Sequence, residues 1–168
     1  MIVETFAQFS KMLANLDKIL EKAQKFSELK KFDAANLLNS RLAPDQFNFI
    51  RQVQIACDTA KFAVTKLTGI EAPKFEDNET TLAELHQRIS KTLEFLSTIK
   101  PEAWKGWETR KTLNPRKEGK YLPGDEFLTQ HALPNFYFHM TTAYGILRHN
   151  GVDLGKMDYL GVITYRDL

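Results

Sequence analysis

The sequence predicts an all-α protein, a bundle of four long helices, and three observations lead there. Apolar residues recur at intervals of three and four in four separate stretches, the spacing that gathers side chains on one face of an α-helix. Most of these stretches carry marked ends. Gly69 follows the second, a Thr81-x-x-Glu84 capping box opens the third with Pro101 beyond it, and Pro134 and Asn150-Gly151 bound the fourth. The composition, 43% hydrophobic and 26% charged over 168 residues, is that of one soluble globular domain spanning residues 1–168. A chain of this length buries roughly 70% of its unfolded surface.

The first helix is predicted from Ile2 to about Phe26. Phe6, Phe9, Leu13, Leu16 and Leu20 face inward, and Lys11, Asn15, Lys18 and Lys22 take the other side. Asp33 then caps a short helix through Leu37 and Leu38, and Arg41 pairs locally with Asp45. The second long helix is predicted from Pro44 to Thr68, with Ile50, Val53, Cys57, Ala60, Val64 and Leu67 as its seam. Beside that seam, not opposite it, runs a polar band of Arg51, Gln54, Asp58, Lys61 and Thr65. Periodicity leaves two readings open: the band is the border between core and solvent, or Gln54 and Asp58 turn inward towards His139.

After a loop over Glu71 to Asn78, the third helix points Leu82, Leu85, Ile89, Leu93 and Leu96 inward, with His86 on the edge of the stripe. From Pro101 to Pro123 the chain changes character. Trp104, Trp107 and Tyr121 alternate with Lys105, Arg110, Lys111, Arg116, Lys117 and Lys120, and Asn114-Pro115 and Glu118-Gly119 signal turns. This reads as an excursion holding a short hairpin from Trp107 to Leu122, its tryptophans covering one end of the bundle. Basic residues among aromatics can grip single-stranded nucleic acid. Here Glu102, Glu108 and Glu118 dilute the charge and no RNA-binding motif is present, so nucleic acid is not the expected partner.

Asp125 to Leu133 supplies one or two helical turns leading into the fourth helix as a kinked extension. That helix, Pro134 to Gly151, buries Phe136, Met140, Ala143 and Leu147. His139 interrupts its apolar surroundings, with Asn135 one turn earlier on the same face. His149 lies in the last turn, where the helix dipole favours positive charge. Leu154, Tyr159, Leu160, Val162 and Tyr165 suggest a tail that packs back on the body or on a partner subunit.

A net charge of +2 is too small to imply nucleic acid or an anionic membrane. The one cysteine, Cys57, rules out an intrachain disulfide and fits a reducing compartment. With no basic region ahead of an apolar run and no stretch near ~20 apolar residues, neither a signal peptide nor a membrane span is read, and the expected location is cytoplasmic. There is no G-x-S-x-G elbow, phosphate loop or Cys-x-x-Cys pair.

The stretches LAPDQFNFIRQVQIACDTAK, PKFEDNETTLAEL, PNFYFHMTTAYGILRHNG and LGKMDYLG resemble the uncharacterised branch of the DinB/YfiT-like superfamily called domain-of-unknown-function family 1993. The resemblance covers Met1 to Gly161. It implies a DinB-like four-helix bundle, commonly dimeric, so a homodimer is expected. Metal-bearing DinB-like proteins typically use three histidines, one on the second helix and two spaced H-x-x-x-H on the last. His139 matches the second of that pair, Asn135 stands where the first would be, and the second helix has no histidine.

The expectation is therefore a degenerate metal site without a cofactor, kept as a small-molecule pocket lined by Asn135, His139, Gln54 and Asp58. One alternative is a metal-dependent enzyme such as a DinB-like thiol transferase, with zinc or nickel held by His139, His131 and Asp58. Another is an interaction module that uses the Trp104–Tyr121 excursion.

Overall fold

The amphipathic stretches fold as their spacing requires, and the ends are where the corrections lie. In the computed structural model, which describes residues 1–113 and 117–167, α1 spans Ile2–Lys30, a turn beyond the expected end. It stops at Lys31, which adopts the left-handed conformation (φ 57°) and donates its amide to Glu28 O. The short α2, Ala35–Asn39, follows Asp33, whose carboxylate accepts the Ala35 amide at 2.9 Å.

The second long helix, α3, runs Phe49–Thr68 and so begins five residues after Pro44. Pro44 sits in a turn closed by the Gln46 amide on Ala43 O, and Asn48 supplies the cap, accepting from the Arg51 amide at 3.1 Å. Arg41 reaches the Pro44 carbonyl at 3.4 Å, not Asp45. Gly69, at φ 83°, ends the helix as expected. The capping box of α4, Leu82–Ser97, is complete on both arms.

A single 3₁₀ turn over Pro101–Trp104 opens the excursion, and a two-residue hairpin follows, β1 (Thr112–Leu113) antiparallel to β2 (Tyr121–Leu122). The expected turn residues Asn114 and Pro115, and Arg116, lie outside the described residues. Trp104 and Trp107 are buried, Trp104 against Phe6 at 4.4 Å between ring centroids, so they close the end of the bundle. The excursion is fastened to α5 (Gly124–Phe127) at Gly124. A Cβ there would stand 1.8 Å from the Trp107 carbonyl oxygen, which only glycine avoids.

The chain then continues without a break through one π-helical turn, Leu128–Ala132, into α6, Leu133–His149. The Leu133 amide bonds Leu128 O, five residues back. Pro134 has no amide to offer Gln130, and its ring would crowd that carbonyl in a regular helix. The widened turn absorbs both problems.

Four long helices form a ring in which α1 neighbours α4 and α6, and α3 packs against those same two, most extensively against α6. Phe9 and Phe136 stack at 4.2 Å in the middle of the core. The last short helix, α7 (Lys156–Leu160), lies across α1, and there Asn15 departs from expectation. It is buried, not solvent-facing, and donates its amide to Tyr159 O at 3.0 Å. Lys22 adds an ion pair to Asp158 at 2.7 Å. The tail therefore packs back as far as Leu160, while Val162 and Tyr165 are exposed. No helix of the described residues is long and apolar enough to cross a membrane.

Candidate functional site

His139 on α6 is buried and points its Nδ1 at Gln52 Oε1 on α3, 2.7 Å away. The amide nitrogen of Gln52 is already spent on the Phe47 carbonyl at 2.9 Å, which fixes the oxygen towards the ring. A glutamine oxygen only accepts, so Nδ1 carries the proton and Nε2 keeps a lone pair. Burial, with the Arg51 charge as a lesser cause, presses the imidazole pKa down to about 4. At neutral pH the ring is therefore uncharged and held in one tautomer. Asn135, one turn earlier, donates its amide to Thr59 Oγ1 at 2.7 Å, and that hydroxyl passes on to Ile55 O at 2.7 Å.

These groups wall a cavity of about 590 Å³ between α3 and α6. Asn135, His139, Asp58 and His131 all reach it, as do Arg51 and the exposed ring of Phe62. His131 arrives because the helix runs on through Pro134; it is eight residues before His139 and shares its cavity. Gln54 does not line this space. Its oxygen accepts from Arg51 Nη1 at 3.0 Å and its nitrogen donates to Glu79 Oε2 at 2.8 Å. So it turns inward, but onto Arg51 and the connector between α3 and α4, not onto His139.

What draws Gln54 away is a charged cluster built on Arg88. Its guanidinium, 3% exposed, donates to Asp58 Oδ1 (2.9 Å), Asp77 Oδ1 (2.9 Å) and Glu79 Oε1 (2.8 Å). Lys61, equally buried, adds a bond to Asp58 at 3.1 Å and another to Pro73 O at 3.0 Å, with its ammonium 3.5 Å from the centre of the Phe75 ring. Burial lowers the Lys61 pKa, against the pull of Asp58. Arg51 completes the set by pairing with Asp77. The three cations meet three carboxylates, and together they pin the connector between α3 and α4 onto both helices.

Asp58, His131 and His139 line one cavity, but Asp58 is already committed to cations of the protein. Its Oδ1 serves two of them, Asn135 is a neutral oxygen donor, and His139 stands as the one buried imidazole. Among the described residues no group of three or more His, Cys, Asp or Glu is placed to hold a metal ion. Cys57 lies in the core, where burial pushes its thiol up to about 12 and keeps it protonated.

Two residues that matter here were not singled out from the sequence. Gln52 lies on a stripe with Phe49, Ala56 and Ala63, and Arg88 on one with Leu85, Thr92 and Leu96. A polar residue at an apolar period was the available signal.

Comparison with known proteins agrees with this fold. A model of the family described as "Domain of unknown function (DUF1993)" matches residues 2–160. The crystal structure of a DinB family member protein from Shewanella denitrificans is 58% identical. It covers 97% of this chain and 93% of its own, with a TM-score of 0.94. No curated protein matches the chain.

Proposed function

The chain belongs to the family described as Domain of unknown function (DUF1993), and we propose that it is a small-ligand-binding bundle whose pocket is the cavity between α3 and α6. The observation that carries this reading is His139, neutral and locked by Gln52 into the tautomer that leaves Nε2 as an acceptor. A buried imidazole held this way recognises a ligand that donates a hydrogen bond. Arg51 and Asp58 offer charge at the cavity wall, and Asn135 a neutral amide. The volume lies within the roughly 300–1,000 Å³ typical of small-molecule sites.

The test is a titration of isotope-labelled protein with a library of small polar fragments, read at the His139 imidazole nitrogens. Fragments should shift the Nε2 resonance and lose affinity in His139→Phe and Asn135→Ala. A library without any His139-dependent binder would sink the reading. So would tag-free protein carrying stoichiometric zinc or nickel that disappears in His139→Ala, since that is the behaviour of a metalloenzyme.

A homodimer belongs to the same proposal. Phe47, Phe62 and Phe138 are about half exposed on or beside the cavity rim, an apolar surface that a second copy would cover. Sedimentation velocity should give twice the 19.4 kDa chain mass, and a single-chain mass at micromolar concentration would refute it.

A further inference from the structure

A second cavity, of about 430 Å³, opens where the hairpin folds over the end of α3 and the π turn. Its walls are apolar and largely aromatic: Tyr121 and Leu122 from β2, and Phe127, on which His131 stacks at 5.4 Å with the rings nearly parallel. Beside the Thr112 hydroxyl and the His131 ring, its polar groups are lysines. Lys66, Lys117 and Lys120 line it, and among the described residues that line it there is no carboxylate. Among the described residues none of the three lysines is paired with an acid. Lys66 spends one N–H on Leu113 O at 2.5 Å, which ties α3 to β1 and leaves further donors. Lys111, with its ammonium 5.0 Å from the centre of the Tyr121 ring, adds positive charge behind the wall.

A cleft of low-dielectric walls and one sign of charge focuses its field on a counter-charged ligand. We infer that the hairpin cavity binds a small aromatic carboxylate, the ring against Tyr121, Leu122 and Phe127 and the carboxylate among Lys66, Lys117 and Lys120. Both halves of such a ligand are needed. A simple inorganic anion leaves the apolar wall wet, and a neutral arene leaves the lysines without a partner. The hairpin thereby gains a role beyond closing the bundle. This inference does not rest on the ligand reading of the His139 cavity, although Lys66, Phe127 and His131 form a wall common to the two.

The experiment is a calorimetric titration of the full chain with 2-naphthoate, with 2-naphthamide as the uncharged isostere. The expected result is saturable one-site binding of the carboxylate and at least about tenfold weaker binding of the amide. Raising salt from about 0.01 to about 1 M shortens the Debye length from about 30 to about 3 Å and should weaken binding several-fold. The double variant Lys117→Ala, Lys120→Ala, on exposed residues that line this cavity and not the His139 cavity, should lose about tenfold in affinity while keeping the helical circular dichroism. His139→Phe should leave naphthoate binding unchanged. Absent binding, equal binding of the amide, or an unaffected lysine variant each overturns the inference. So does loss of binding in His139→Phe, which would put the ligand in the other cavity.

Discussion

His139 shows what one residue can and cannot tell from sequence. Its place on an apolar face was legible as an interruption that needed partners, because a buried imidazole without them costs about 1–3 kcal/mol. The partner, Gln52, lies 87 positions away, and periodicity assigns faces without matching them across helices. The pKa of about 4 makes a pH prediction whose sign is fixed. The unfolded chain takes up the proton near the ordinary 6.5, before the folded one does. Stability is therefore complete above about pH 6.5 and declines as pH falls towards 4, by about 3 kcal/mol from this residue. Urea denaturation across that range should show the loss in the native protein and a flatter profile in His139→Gln. Arg88 is the sharper case. Removing it leaves three acids without their shared cation, Glu79 the most buried of them, so Arg88→Met should cost about 3 kcal/mol or more. In a double-mutant cycle with Glu79→Gln the loss in the double variant should fall short of the sum of the two single losses, as for bonded partners; simple additivity would show that the pair is not coupled.

At the scale of elements, types were legible and boundaries less so. The capping box of α4 and the glycine after α3 were written locally and hold. The start of α3 misled because Pro44 fits a first helical position as well as it fits a turn, and Asn48 made the better cap. The π turn was legible only as a kink, since the proline announces a conflict without saying how it is resolved. The docking of α7 depended on Asn15, a polar side chain read as solvent-facing because its buried partner is a backbone carbonyl 144 residues on. Asn15→Ala should cost about 1 kcal/mol and expose the segment after Leu154 to faster limited proteolysis. Gly161→Ala should have the same effect more strongly. That glycine sits at φ 67°, and a Cβ on it would come within 2.5 Å of the Asn15 amide. Unchanged proteolysis in both variants would show that α7 is held by something else.

For the whole molecule, the four-helix arrangement followed from four apolar stripes that each needed a neighbour, and the DinB-like fold is the one found. The excursion divides in two on inspection: its tryptophans belong to the core, and its lysines to the hairpin surface. Tryptophan as a surface anchor for another protein is thereby excluded for Trp104 and Trp107. Trp104→Ala should instead destabilise the chain by about 3–5 kcal/mol in urea melts, the cost of emptying a large buried ring site. A loss under about 1 kcal/mol would mean that the ring does not close the bundle. The cluster around Arg88 has a bearing on the chain as a continuous thread. Acids from the segment between α3 and α4 are gripped by bases on both flanking helices, so covalent continuity there duplicates what electrostatics already supplies. A nick within that segment would leave two fragments still clasped to each other, and the protein would survive being cut in the one long link that looks most dispensable.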